Sequence, residues 1–335
     1  MNHVNFILSI LFLFSYFYSC NRSQEKLSAN FDTNLEKKLS INREFHIGDV
    51  RRYGLFPEKS DKQNIYNKTQ NPEAIFRLAS TGLKIYFPPG YYNHALILEN
   101  IKNINLYFNH AEFGSVIQIK NAENIHIEGH FISYNMLEIN RSKKIFLDTI
   151  QIINNPSLHS GRRESSGIQI LYNSSDIHIH YAQIYGLGSG KNFKYIHAAL
   201  KIYGYPELPQ DVYIDKVIIK NSAVHGAIIM GHHIIINKMI IDGYGMKPNN
   251  YLIKLSHVSD MPKNYYALWL QKNTLSEYTF IEIPKVNRKA MRLGPGNIYQ
   301  PTLIDTLSIN YHGNLDEIID DDKNTNIIVK HVIIH

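Results

Sequence analysis

The sequence has one cysteine and one tryptophan among its 335 residues. With Cys20 alone, no disulfide can form within the chain. The longest apolar run, from Phe6 to Tyr18, is shorter than the roughly 20 residues that a membrane-spanning helix needs. Alanine and glutamate, which favour helices, are scarce, whereas isoleucine and asparagine are plentiful. This composition indicates a protein that is rich in β-structure and has no disulfide within the chain.

Short strand-like phrases recur through the middle of the chain. Most of them alternate aliphatic with polar residues, the period of a strand with one buried face. Several are followed by a second phrase of the same kind, such as Asp176–Ile179. The first phrases are Val116–Ile119, Met136–Ile139, Gly167–Ile170, Ala199–Ile202, Ala227–Met230 and Tyr251–Leu255.

The spacing of these phrases, about 20 to 30 residues, is typical of a coiled array of strands. One such coil has too little apolar surface to fold alone, so successive coils must stack to bury a continuous core. The sequence therefore predicts an all-β protein, a single-stranded right-handed parallel β-helix over residues 46–335. We expect Asp320-Asp321-Asp322 to form a solvated turn rather than a Ca²⁺ site.

The N-terminus has the features of an export signal. The apolar run ends at Ser19-Cys20, and a polar stretch follows. This resembles a bacterial lipoprotein signal, which implies cleavage before Cys20 and lipidation of that residue. We therefore predict a signal peptide (1–19) and a polar tether (20–45). The expected location is the outer membrane or cell surface, the alternatives being the periplasm or plain secretion.

The segment that precedes the coils resembles the entry region of the pectate-lyase-like superfamily. Its features are Gly48-Asp49-Val50-Arg51-Arg52-Tyr53-Gly54, a short helix beginning at Pro72, and Ile85-Tyr86-Phe87-Pro88-Pro89-Gly90-Tyr91. The resemblance implies a β-helix capped by an N-terminal helix, with a carbohydrate as ligand. It implies a polysaccharide lyase or a polygalacturonase-type hydrolase as the activity.

Long insertions at one place in successive coils predict one binding face, because solenoid insertions line a common side. They include 154–166 and 186–197. Aligning the coils gives an outward column in which Ile229 and Lys254 follow Lys201. Outward residues one coil apart lie about 4.8 Å from each other. The expected substrate-binding residues are Arg162, Gln169, His197, Tyr172, Tyr203, His232, Lys254 and His257.

The residue types of this face suit β-elimination from a uronate polymer. Elimination requires a cation that neutralises the carboxylate, which Arg163 can supply, and a base, for which Lys201 and His225 are the candidates. Tyrosines such as Tyr203 can act as sugar-stacking platforms. The alternative for Lys201 is an ordinary exposed strand lysine. A cofactor is not expected, since the face lacks the acidic cluster that a Ca²⁺-dependent lyase would use.

Two other functions remain open. A glycoside hydrolase needs two carboxylates, and only Glu164 lies in the long insertions. A non-catalytic polysaccharide-binding surface protein is equally compatible with the fold. The formal net charge of +6 fits an anionic partner such as an acidic polysaccharide, or ordinary lysine-rich solubility. Nucleic acid is not expected as a partner of an exported chain, and the sequence leaves the oligomeric state open.

Overall fold

The structure is a computed structural model in which two parallel sheets wind along one solenoid. The strands are numbered in chain order. The described residues are 32–39, 41–58, 72–153, 167–186, 197–245, 265–272, 274–286, 289–294, 300–311, 318–321 and 326–335.

The first sheet is formed by the longer strands, in the order β1-β4-β6-β8-β10-β12-β14-β16-β18-β20, with β2 also paired to β4. Its strands are β1 (Lys84–Phe87), β2 (Gly90–Tyr92), β4 (Lys102–Phe113), β6 (Glu123–Ser133), β8 (Lys143–Ile153), β10 (Ser175–Tyr185), β12 (Gln210–Lys220), β14 (His232–Asp242), β16 (Glu277–Lys285), β18 (Thr302–Ile309) and β20 (Ile327–Ile334).

The second sheet is formed by the shorter strands, which alternate along the chain with those of the first. Its order is β3-β5-β7-β9-β11-β13-β15-β17-β19. Its strands are β3 (Leu96–Glu99), β5 (Ile117–Lys120), β7 (Leu137–Asn140), β9 (Ile168–Leu171), β11 (Ala198–Tyr203), β13 (His225–Ile229), β15 (Tyr266–Leu270), β17 (Lys289–Leu293) and β19 (Ile319–Asp321).

Every strand of a coil pairs in parallel with its counterpart one coil away, as β10 does with β8 and β12. The chain is therefore a right-handed parallel β-helix, which confirms the predicted fold class. Inward-facing isoleucines, leucines and valines from both sheets form one continuous core. At the N-terminal end this core is aromatic, with Phe108 packed against Phe87 and Phe131 at ring-centroid distances of 4.8 and 5.3 Å.

The turns between the sheets explain the abundance of asparagine. Asn100 and Asn121 adopt left-handed backbone conformations, with φ of 54° and 48°. Asparagine tolerates this conformation better than most residues that carry a side chain. Buried serines support the same turns: Ser142 Oγ accepts a hydrogen bond from the Ala122 backbone N–H at 3.1 Å and donates to the Ile119 carbonyl.

Helical segments pack at the N-terminal end. They are α1 (Thr33–Lys37), a 3₁₀ helix (Val50–Tyr53) and α2 (Pro72–Ala79), which begins at the proline, as predicted. In α1, buried Glu36 accepts a hydrogen bond from Arg52 Nε at 2.8 Å. Leu35 and Leu39 pack against the core. The later part of the segment predicted as a tether therefore contributes to the folded end of the solenoid.

Candidate functional site

The candidate site lies on the outer face of the second sheet. One side chain from each strand points outward at the same register position, and we call this set the outward column. It runs Ile97, Gln118, Glu138, Gln169, Lys201, Ile228, Trp269, Arg292 and Asp320.

This register differs from the sequence alignment at two places. The partner of Lys201 is Ile228, not Ile229, whose side chain is fully buried in the core. The reason is that Ala227–Met230 is wholly apolar, so no alternation fixes its inward face. The strand paired with β13 is Tyr266–Leu270, and Trp269 therefore occupies the position that the alignment gave to Lys254.

Four strands have a second outward-facing residue, three positions before the residue that the strand contributes to the outward column. These residues are Ala198, His225, Tyr266 and Lys289. The His225 ring lies parallel to the Tyr266 ring, with centroids 5.6 Å apart and an interplanar angle of 6°. Trp269 meets the same imidazole edge-on at 5.4 Å.

The outer face thus carries a small hydrophobic cluster that is separate from the solenoid core. Ala198, Ile228, Tyr266 and Trp269 form it, and partly buried Tyr203 packs against it. Outward-facing strand residues of a solenoid are ordinarily polar, because they contact solvent. All four residues of the cluster are buried, with at most 9% of any of them exposed. Aromatic rings with polar groups at their edges are side-chain types that sugar-binding sites use, since a pyranose has apolar faces and a polar rim.

Two cations lie over these rings. Arg292 places its Cζ 4.8 Å from the Trp269 centroid and 6.0 Å from that of Tyr266. Lys201 places its Nζ 4.8 Å from the Tyr203 centroid and is only 7% exposed. Cation–π contacts of this kind hold a long cationic side chain in one orientation. Trp269 and Arg292 were both missed by the sequence alignment, although Trp269 is the chain's only tryptophan.

Asp320 completes the column at its C-terminal end. Its Oδ2 accepts a hydrogen bond from the Tyr266 hydroxyl at 2.7 Å and lies 3.8 Å from Lys289 Nζ. The predicted solvated turn is wrong for this residue, which lies in β19 and pairs in register with Arg292. Three consecutive aspartates have low strand propensity, and here pairing with β17 overrides it.

The geometry of His225 restricts its chemistry. Its Nδ1 accepts a hydrogen bond from the Tyr266 backbone N–H at 3.0 Å, and the side chain is fully buried. A backbone N–H can only donate, so Nδ1 is unprotonated and Nε2 carries the hydrogen of the neutral ring. His225 is therefore arranged as a hydrogen-bond donor through Nε2, which does not suit the predicted role of base.

The remaining predicted residues divide into three groups. Gln169 is the register neighbour of Lys201, and His197 directly precedes β11, so both lie at the candidate site. Tyr172 lies instead at a turn between the two sheets, where it contacts Arg141, and His232 is the first residue of β14 in the first sheet, where it contacts Thr274. Outside the described residues are Arg162, Arg163, Glu164, Lys254, His257 and Cys20.

The described part of the column offers no carboxylate pair suited to hydrolysis. Its carboxylates, Glu138 and Asp320, are separated by six strand spacings, or about 29 Å. Glycosidase carboxylates lie roughly 5 to 10 Å apart. Within the described ranges, no three His, Cys, Asp or Glu side chains gather in a way that could hold a metal ion.

Comparison with known proteins gives no functional assignment for this chain. A proposed function must therefore rest on the side chains of the outward column. No protein-family model, no curated protein and no solved structure matches the chain.

Proposed function

We propose that this chain is an exported carbohydrate-active protein of the pectate-lyase-like kind. Its outward column binds an anionic, uronate-containing polysaccharide, which it cleaves by β-elimination. The observation that carries the proposal is the pair of cations, Lys201 and Arg292, each held over an aromatic ring on the same column.

The spacing of the two cations favours a polymer over a single sugar. Lys201 and Arg292 are three strand spacings apart along the column, or about 14 Å. One sugar ring does not bridge that distance, so the cations contact different units of one chain. Trp269 and Ile228 lie between them in the buried cluster, with exposed fractions of 9% and 2%.

The two cations have different chemical roles in this proposal. The Arg292 guanidinium is planar and can pair with a uronate carboxylate through two parallel hydrogen bonds. Lys201 acts as the base: its amine takes the proton from C5, the C4=C5 double bond forms, and the C4–O bond breaks. The departing oxygen takes up a proton and becomes a hydroxyl. Arg162 or Arg163, in the 154–166 insertion, supplies the cation that neutralises the carboxylate of the cleaved unit.

A second candidate is a non-catalytic polysaccharide-binding protein. The observation in its favour is the hydrogen bond that His225 Nδ1 accepts. This bond removes one of the two predicted bases, and only Lys201 then remains as a candidate base on the described part of the column. Aromatic and cationic contacts would bind a polymer without any proton transfer. The polygalacturonase-type alternative is weaker, because it requires Glu164 and a second carboxylate that the described column does not place nearby.

Export and anchoring are part of the proposal. The apolar run Phe6–Tyr18 followed by Cys20 supports cleavage of a signal peptide and lipidation of the new N-terminal cysteine. Among the described residues, no helix is long and apolar enough to cross a bilayer. Detergent phase partitioning tests the anchor: the wild type should enter the detergent phase, and Cys20→Ala should remain in the aqueous phase.

The reaction is tested with protein lacking residues 1–20 against polygalacturonate, alginate, hyaluronan and chondroitin. β-Elimination produces a conjugated unsaturated uronate, which appears as a rise in ultraviolet absorbance. Lys201→Ala should abolish the rise, and Arg292→Ala should weaken retardation on the matching affinity gel. Lys216→Ala is the matched control, because Lys216 lies over Tyr181 on the first sheet.

The outcomes separate the candidates. New reducing ends without an absorbance rise would identify hydrolysis and contradict the elimination. Retardation on the gel without either product would identify the binding protein. No retardation and no product from any of the four polymers would overturn the proposal for this column.

A further inference from the structure

The outer face of the first sheet carries a different set of side chains, unrelated to the outward column. Four rings occupy one register position on consecutive strands: His126, Phe146, His178 and Tyr213. The His126 and Phe146 rings lie 4.4 Å apart, and those of His178 and Tyr213 lie 4.6 Å apart at an interplanar angle of 20°. Phe146 is 37% exposed, so part of this ring column faces solvent.

A row of hydrogen-bonding groups runs beside the rings, two residues further along the strands. Asp215 accepts hydrogen bonds from His180 Nδ1 at 2.8 Å and from Asn237 Nδ2 at 3.0 Å. An ionised carboxylate only accepts, so His180 Nδ1 is the protonated nitrogen and Nε2 of the neutral ring is an acceptor. Each carboxylate oxygen can accept a further hydrogen bond, since it has two lone pairs.

The two rows enclose a shallow depression of about 110 Å³. Its walls are the rings of Phe146, His178 and Tyr213 on one side and the polar groups of His180 and Asp215 on the other. Both His180 and Asp215 are more than half exposed, so a ligand can reach them.

We propose that this depression is a second carbohydrate site, one that binds a neutral oligosaccharide. The exposed ring of Phe146 offers an apolar surface to one face of a pyranose. Asp215 and His180 Nε2 present acceptors to neighbouring hydroxyls, and Asn237 adds an amide that can both donate and accept. Sugar hydroxyls, each a donor and an acceptor, match such a mixed set.

The charge of the depression selects against the polymer proposed for the outward column. Asp215 lines the depression, and Asp176 lies beside the His178 ring that forms part of its wall. Both carboxylates are substantially exposed, and each is hydrogen-bonded to a histidine rather than to a lysine or arginine. A uronate carboxylate would meet like charge in this place. The second site therefore binds a chemically distinct sugar and does not depend on the function of the outward column.

The test is saturation-transfer NMR with cellohexaose, xylohexaose and maltohexaose as probes. Saturating the protein should transfer signal to the ring protons of at least one probe. Phe146→Ala and Asp215→Asn should each reduce this transfer about tenfold, as expected for the loss of a stacking surface or of a hydrogen bond to a charged group. Asp305→Asn is the matched control, because Asp305 is an exposed carboxylate elsewhere on the same sheet that pairs with Lys330.

Circular dichroism of the variants checks that they fold, and both substituted side chains are exposed enough for folding to persist. Absence of transfer to all three probes would overturn the proposal. So would transfer that persists in both Phe146→Ala and Asp215→Asn, or that disappears in Arg292→Ala, since the sugar would then occupy the outward column. Choline serves as a cationic probe in the same experiment. Binding of choline with no binding of the sugars would identify a cation site and would also contradict the proposal.

Discussion

At the residue scale, Arg292 is the side chain on which the proposed binding of the polysaccharide depends most. Contacts with Trp269 and Tyr266 hold its guanidinium over two rings before any ligand binds. Less conformational entropy is therefore lost when a carboxylate pairs with it. A lysine would retain the charge at this position, but it lacks the planar group that stacks and forms two parallel hydrogen bonds.

Arg292→Lys should weaken polysaccharide binding about tenfold, equivalent to about 1.4 kcal/mol. Affinity electrophoresis in the uronate polymer that most retards the wild type measures the change. The matched control is Lys238→Ala, which removes a comparable cation over Phe280 on the first sheet. Equal retardation of Arg292→Lys and wild type would show that the guanidinium geometry has no role in binding.

His130 links stability to pH. Burial lowers the pKa of His130, and the nearby charge of His110 lowers it further. The unfolded chain therefore takes up a proton near the ordinary histidine pKa of about 6.5, whereas the folded chain resists protonation until a lower pH. The His130 contribution to folding stability is present above about pH 6.5 and is lost as the pH falls below it.

His130→Gln should consequently lose less stability on acidification than the wild type. Urea unfolding at about pH 7.5 and about pH 5.5 gives the two free energies of unfolding whose difference is compared. His126→Gln, at an exposed ring on the same strand, serves as the control. A pH dependence unchanged by His130→Gln would contradict the assignment.

At the element scale, the turn serines connect neighbouring coils. Ser142 is 1% exposed, and its hydroxyl accepts from the backbone of the preceding coil while donating back to it. Ser276 has the same role further along, where it accepts from the Ile234 N–H at 3.1 Å. These hydrogen bonds satisfy buried backbone groups where the chain passes between sheets.

Ser142→Ala should destabilise the protein by roughly 1–3 kcal/mol, the cost of leaving a buried N–H without its acceptor. Urea unfolding provides the measurement. Ser80→Ala is the control: its hydroxyl donates to the Arg77 carbonyl at an exposed helix end, so its loss should cost much less. Equal losses for the two variants would show that the buried turn hydrogen bond contributes no more stability than the exposed one.

At the scale of the whole molecule, each coil contacts only its neighbours, so stability is distributed along the solenoid axis. The two ends differ in composition: the N-terminal coils pack aromatic rings around Phe108, whereas aliphatic residues such as Leu307 fill the coils near β18. A defect at one end should therefore loosen that end first.

Phe108→Ala should cost about 3–5 kcal/mol and lower hydrogen-exchange protection in β4 and β6 more than in β16 and β18. Leu307→Ala is the matched variant, with the opposite pattern expected. Loss of protection spread evenly over all strands in both variants would show a single cooperative unit instead of a chain of coupled coils.

The sequence repeat by itself determines the fold class. Alternating Ile-polar phrases at a coil's spacing can bury their apolar side only by stacking, and the asparagines mark the turns. The residues of the outward column are harder to predict. Gln169 and Lys201 follow from alternation, because their strands have a polar residue at the centre.

Tertiary structure alone decides the rest of the column. Ala227–Met230 has no polar residue to mark a face, so only pairing with β11 places Ile228 outward. Trp269, Arg292 and Asp320 come from strands whose spacing breaks the repeat, and only backbone pairing across coils brings them together. The alternation within a strand involves neighbouring residues and can be recognised in the sequence. The register between strands of an irregular solenoid depends instead on contacts between residues far apart in the chain.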